Sequence, residues 1–255
     1  MSEIKEARLQ KANSLISKGF ASYAQNFRVS NTTKFLIQKF DYLENGQEED
    51  FSVSIAGRVM AKRVMGKIAF FTISDQDGQI QLYLEKKIIN LNLEKQKLLS
   101  FEDIKEIVDI GDWIGVYGTI KKTNKGELSI KVEKWEMLSK SLQPLPDKWH
   151  GLTDIEKRYR QRYLDLIVNP HSKNVFKTRA KCISFIRKWL DNRNFLEIET
   201  PILQSEAGGA EARPFITHHN TLDIPLYLRI ATELHLKRMV AVSYTHLTLP
   251  TRIFV

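Results

Sequence analysis

The sequence predicts a multidomain α+β protein: a small β-barrel, a linker, and the start of a second domain of helices and short strands. Three observations carry this. From Phe51 to Met137 the apolar pattern has period two, interrupted once by a helical stretch. Ser139 to Gly151 (SKSLQPLPDKWHG) holds Pro144 and Pro146 one residue apart, which suits neither helix nor central strand. Beyond it, His171 to Asn194 carries the longest helical stripe of the chain, then a short strand stopped by Pro201.

A chain of 255 residues allows one large or two ordinary domains. No apolar run approaches the roughly 20 residues of a membrane helix. The opening MSEIKEARLQK lacks the apolar core of a signal peptide. A single cysteine, Cys182, excludes an internal disulfide and a multi-cysteine zinc site. Together these point to the cytoplasm. The net charge of +9 favours an anionic partner, and residues 151–200 hold eleven Lys/Arg against six Asp/Glu. Nucleic acid fits better than a membrane surface, because the basic residues do not share one long amphipathic helix with an aromatic face.

Residues 1–50 form a helical extension. In residues 3–18 charge alternates with Ile4, Ala7, Leu15 and Ile16, the pattern of a weakly amphipathic helix with a solvated face. Asn31-Thr32-Thr33 offers N-caps for a short helix whose Leu36, Ile37, Phe40 and Leu43 pack on the strands after it.

The barrel is placed at 51–138. Val53, Ile55, Gly57 and Val59 share one face, and Ser54, Ala56, Arg58 and Met60 the other. Ala69, Phe71 and Ile73 repeat the pattern before the Asp77-Gly78 hairpin signal, and Ile80, Leu82 and Leu84 after it. A helix is expected near Leu93 to Val108, then strands Trp113 to Lys121 and Glu127 to Met137. Three strands, a helix and two strands is the order of an OB-fold. Folding the hairpin places Phe70 and Gln81 on one outward polar face with Thr72, Ser74 and Tyr83. Arg58 and Glu127 have the corresponding parity. An aromatic on such a face suits base stacking, worth about 1–3 kcal/mol per base, although single exposed aromatics are common on any surface. Gly111, Gly115 and Gly118 lack the Lys-Ser/Thr of a P-loop, so close strand approach explains them.

The second domain is placed at 152–240. Tyr159, Tyr163 and Leu166 share one stripe of a helix with a basic flank. Phe176, Ala180, Ile183, Ile186 and Leu190 mark the buried stripe of the long helix, with Cys182 beside it as a structural residue. From Ser205 to Arg238, Gly208-Gly209 can bring bare backbone to a ligand. Arg213 to His218 and Leu226 to Ile230 read as paired strands around an Asn220–Pro225 turn. Glu233 then opens a helix. Its carboxylate, expected at depth behind the strands, either complements the helix macrodipole or meets a cation. His218-His219 suggests a metal, but adjacent strand residues face opposite sides.

Several stretches resemble a known family. The long helix, strand and proline after RYRQRYLDL are similar to motif 1 of class II aminoacyl-tRNA synthetases. PLPDKWHGL, RYRQRYLDLI, GGAEARPFITHHN and YLRIATELHLKR, with AGRVMAKRVMGKIAFFTISDQDGQIQLY and KGELSI in the barrel, resemble lysyl-tRNA synthetases, of the lysine/aspartate/asparagine subclass. The likeness covers roughly residues 30–240. It implies an anticodon-binding barrel, a catalytic antiparallel sheet flanked by helices, and a homodimer through motif 1, here helix 171–194 and Pro201. It places lysine contacts at Gly209 and Glu233, the latter on the substrate ammonium. It places contacts to the U-rich anticodon of tRNA(Lys) at Arg58, Phe70, Gln81 and Glu127.

The implied reaction uses ATP with Mg2+: lysine carboxylate attacks the α-phosphate, pyrophosphate leaves, and the tRNA terminal hydroxyl then takes the lysyl group. The arginines of motif 2 and the whole of motif 3, with its Mg2+ ligands, do not appear. After Val240 the chain runs AVSYTHLTLPTRIFV, in which Arg252 lacks the motif 2 surroundings. This tail resembles translated adapter read-through, so residues 241–255 are expected to be non-native and the chain to be an N-terminal part without catalytic residues. The alternative is a non-catalytic tRNA- or RNA-binding OB-fold module.

Overall fold

Five strands close on one another in the first part of the chain because their alternate side chains are apolar. They are β1 (Glu48–Met65), β2 (Ile68–Ser74), β3 (Gln79–Glu85), β4 (Trp113–Lys122) and β5 (Leu128–Ser139), joined as a closed barrel in the order β1-β2-β3-β5-β4. In this computed structural model, residues 3–91, 93, 98–146, 152–241 and 247–248 are described. All pairings in the barrel are antiparallel except β3 with β5. This is the OB-fold order. Inside, Val59, Phe71, Ile73, Leu82 and Val132 are fully buried; Phe70, Thr72, Gln81 and Tyr83 alternate with such residues on the outer face. A Cβ on Gly118 would collide with the Lys131 carbonyl, and one on Gly115 with the Phe27 ring. Close approach is thus what these glycines permit.

The barrel is longer and better wrapped than its pattern suggests. Helix α1 (Glu3–Ser17) does not present a merely solvated face: Leu15 lies in the barrel core, Lys11 pairs with Asp109 at 2.6 Å, and Lys18 pairs with Asp103. In α2 (Thr33–Lys39), Leu36 is buried with the following Phe40 and Leu43, but Ile37 is 41% exposed, outside the expected stripe. Instead of one helix over Leu93–Val108 there are α3 (Lys86–Leu91) and α4 (Phe101–Ile107). Ser100 dictates the later start of α4, since it and Asp103 cap each other's backbone.

Where β5 ends, Lys140 is buried with no exposed side-chain surface. Its ammonium donates to Asp109 Oδ2 (2.6 Å), Asp112 Oδ2 (2.7 Å) and the Ile107 carbonyl (2.7 Å). Asp112, equally buried, also accepts from the backbone N–H groups of Asp109 and Ser141, each at 2.8 Å. The expected linker continues beyond this anchor, and its residues 147–151 lie outside the described residues.

The chain divides into two compact units, Met1–Leu164 and Asp165–Val255. After the barrel, the chain runs through α5 (Ile155–Arg160), α6 (Arg162–Val168), α7 (Pro170–Asp191), β6 (Leu196–Glu197), β7 (Leu203–Gln204), β8 (Ile216–His219), β9 (Ile224–Leu228), α8 (Glu233–Ala241) and β10 (Leu247–Thr248). Strands β7, β9 and β8 form one small sheet in that order; β6 pairs with β10 in parallel. The expected hairpin is present, with Pro225 inside β9 opposite His218.

Helix α7 departs most from its pattern. Of the stripe expected to be buried, Ile183, Ile186 and Leu190 are half-buried, whereas Phe176 and Ala180 are exposed. Val175, Phe185 and Trp189 are exposed too, at 52%, 67% and 45%, and Cys182 is exposed rather than structural. Periodicity reports which residues want cover, and within this unit few strands are present to provide it.

Candidate nucleic-acid face and substrate loop

The outer face of the barrel is built in rows by strand register. Phe70 lies opposite Tyr83, with ring centroids 5.6 Å apart in a T-shaped contact. Tyr83 lies opposite Lys131 in turn. The adjoining row is Ala61, Thr72, Gln81 and Ser129. Phe70 and Gln81 are therefore on one side but diagonal. Gln81 is oriented by Ser129, whose hydroxyl donates to its Oε1 at 2.9 Å, so the amide nitrogen keeps its donors for another partner.

Arg58 lies opposite Ser74 on one side and Trp113 on the other. Its Nη1 donates to the Gly111 carbonyl at 2.8 Å, and its guanidinium sits 5.4 Å from the Trp113 ring. Burial lowers its pKa and nearby Asp112 opposes this, so it remains a cation near neutrality. Glu127 is exposed, in the turn two residues ahead of Ser129. Its backbone exchanges hydrogen bonds with Thr123, which fixes the turn that carries it. Arg58, Phe70 and Gln81 thus share the outer side of the strands, whereas Glu127, expected to open the fifth strand, lies in the turn before it.

Residues not singled out as site candidates also shape this face. Glu48 bridges Lys121 (2.7 Å) and Lys131 (2.5 Å), and the hydrogen bonds from Lys121 and Lys131 hold its carboxyl below the usual range. The Lys121 ammonium lies 4.7 Å from the Tyr83 ring centre. Tyr83 donates to Glu85 at 3.4 Å; burial, then the Glu85 charge, raises its phenol pKa. Glu48 lies well before the expected first strand, so no period-two count could have reached it.

In the second unit the Ser205–Pro214 loop meets the start of α8. Gly209 has φ +92°, open to glycine and strained for other residues. A Cβ there would stand 3.3 Å from Ala231 Cβ and 3.9 Å from Glu233 Cβ, and one on Gly208 would stand 3.1 Å from Leu234 Cδ1. The structure therefore brings Gly209 and Glu233 together. It does not bury Glu233, which is 53% exposed as the first residue of α8 and pairs with Lys237 one turn on at 2.5 Å. That hydrogen bond to Lys237 lowers its pKa. An open cavity of about 500 Å³ adjoins it, lined by Ala231, Thr232, Glu233, Leu236, Lys237 and Val240. The depth expected from two preceding strands fails because, among the described residues, the sheet has three short strands.

His218 and His219 do not form a metal pair: His218 faces Asp223 at 3.1 Å, and His219 Nδ1 accepts from the Leu222 N–H. Among the described residues no three His, Cys, Asp or Glu converge as metal ligands.

Residues 53–138 match the family model for the OB-fold nucleic acid binding domain, and residues 154–247 the model for tRNA synthetases class II (D, K and N). A barrel of this order with that second segment behind it defines the class: the chain belongs to the class II aminoacyl-tRNA synthetases of the aspartate, lysine and asparagine group. Within the group the similarity is to lysine–tRNA ligases. Identity is 92% with that of Prochlorococcus marinus strain MIT 9301, 80% with that of strain MIT 9515 and 60% with that of Synechococcus sp. strain CC9902, each over 254 residues. Each alignment takes in 100% of this chain and 50% of the relative. The chain spans about half the length of the curated relatives it matches.

Proposed function

We propose that this chain is the tRNA-reading and lysine-recognising portion of a lysine–tRNA ligase acting in the cytoplasm. The observation that carries it is the outer face of the OB-fold, where Phe70, Gln81 and Arg58 are turned outward by register and each is oriented by a neighbour. Phe70 stacks a base of the U-rich anticodon. Gln81 and Arg58 supply donors to base edges, and Glu127 an acceptor at the rim. Gly209 and Glu233 take the lysine substrate; the pairing of the Glu233 carboxylate with the Lys237 ammonium supports this reading. In the complete reaction a lysine carboxylate oxygen attacks the ATP α-phosphorus and pyrophosphate leaves; the tRNA terminal hydroxyl then attacks the lysyl carbonyl and AMP leaves. What this chain's residues contribute is position and charge.

The domain reading accompanies this: extension 1–50, anticodon-binding barrel 51–138, linker 139–151, catalytic-domain opening 152–240. The apolar side chains exposed on α7 support a homodimer through helix 171–194 and Pro201. Residues 241–255 are read as foreign to the gene from their sequence, although the family match runs to residue 247. Resequencing past Val240 decides this, and recovery of the same tail with a stop codon refutes it.

Protein from the full gene should show lysine-dependent ATP–pyrophosphate exchange; exchange with aspartate alone overturns the amino acid. A second reading, favoured by the outward Phe70 and Gln81, is a tRNA-binding module: saturable binding of a UUU anticodon stem-loop without adenylate formation.

A further inference from the structure

We infer that the end of the barrel around the β1–β2 hairpin is a phosphate-binding strip for the RNA strand leaving Phe70, carried by Arg63, Lys67 and Lys87. It rests on the anticodon-binding reading for the kind of RNA. The key feature is the register shift between Val59 and Ala61. Counting in twos from Arg58 puts Lys62 on the outer face and Arg63 inside. The irregularity reverses this, as such shifts re-aim side chains. Lys62 lies opposite buried Phe71, and its ammonium caps the Lys105 and Val108 carbonyls at 2.6 Å each. Arg63 lies directly opposite Phe70 and is exposed.

Lys67 comes after the turn at Gly66 (φ +63°), about 10 Å along the strand from Phe70. Lys87, in the first turn of α3, is held beside it because the Lys86 N–H donates to the Lys67 carbonyl at 2.9 Å. Both side chains are exposed.

Neighbouring cations are already compensated. Lys86 and Lys105 pair with Glu102, and Lys121 and Lys131 share Glu48. Glu85, which ends β3 in this corner opposite Ile68, accepts from the Tyr83 hydroxyl. Among the described residues no carboxylate lies within ion-pair distance of Arg63, Lys67 or Lys87. Three uncompensated cations continuing from a base-stacking ring suit a nucleic-acid backbone, which places a phosphate at every nucleotide.

The test compares the full chain with its R63Q/K67Q/K87Q variant, titrating a stem-loop with a U-rich loop and one with a scrambled loop over a range of salt. Each lost contact to single-stranded RNA flattens the slope of log K against log salt by about 0.7, so the triple variant should flatten it by about 2 on both RNAs. An unchanged slope and affinity, or a loss confined to the U-rich loop, overturns the strip. Unaltered urea midpoints establish that the variant is folded. The F70A variant separates this from the underlying reading: it should lose preference for the U-rich loop and keep its slope. If F70A changes nothing while the triple variant flattens the slope, the base platform falls and the strip stands. No binding of either RNA by the unaltered chain overturns both.

Discussion

Replacing Lys140 with methionine should destabilise the barrel by about 3–5 kcal/mol, the range for removing one partner of a buried ion pair. The structure sets what is lost. Three acceptors surround the ammonium at 2.6–2.7 Å, and neither Lys140 nor Asp112 exposes side-chain surface. Asp109 keeps a partner in Lys11, but Asp112 keeps only the N–H groups of Asp109 and Ser141. The charge on Asp112, left without its direct ion-pair partner and with Arg58 only nearby, therefore dominates the effect. With a urea m-value of about 1–3 kcal/mol/M, a loss of this size lowers the midpoint by more than about 1 M. Buried Trp135 provides a fluorescence probe in the barrel core. Adding Asp112→Asn should recover part of the loss by removing the orphaned charge, although an amide nitrogen near the Asp109 and Ser141 N–H groups limits the recovery. A midpoint shift below about 0.5 M for K140M, or a double variant no better than K140M, would refute the idea that charge burial governs this corner.

Phe70→Ala should weaken stem-loop binding by about 1–3 kcal/mol, roughly 5- to 150-fold, in fluorescence anisotropy; unchanged affinity counts against stacking. Gly209→Ala should raise the KM for lysine in protein from the full gene, because the left-handed backbone costs a side chain about 1–2 kcal/mol and its Cβ presses on Ala231 beside Glu233; unaltered KM and kcat would remove the loop from lysine binding. Burial raises the pKa of Asp75, but hydrogen bonds from Thr33, Asp77 and Gly78 outweigh it and leave the carboxyl below its usual range. A depressed carboxyl stabilises the fold fully above its unfolded pKa of about 3.9 and loses that contribution as pH falls through the lower folded value. D75N should therefore flatten acid destabilisation below about pH 4, and parallel urea-midpoint profiles for both proteins would contradict this.

The barrel was legible because its physics is local. Burying one face of each strand demands alternation, Asp77-Gly78 demands a tight reversal, and the order of elements then leaves few closures. Parity alone was enough to put Phe70 and Gln81 on one side. Helix α7 was legible as a helix but not as a buried one, since its stripe states a need for cover and not the presence of a cover. Glu233 lies close to Gly209 but not at the depth its pattern suggested, for burial depends on how many strands surround a position.

By itself the sequence determined the five barrel strands, the outward residues of the β2–β3 hairpin, the glycine loop and the helix behind it, since each derives from spacing along the chain. Only the tertiary structure decided how Lys140 and Asp112 meet in the core, how Glu48 gathers two lysines, and which of Lys62 and Arg63 looks outward. The physical reason is the same in all three. Ion pairs join residues far apart in sequence, and a single irregularity between Val59 and Ala61 reverses parity beyond it, so neither is contained in a local period.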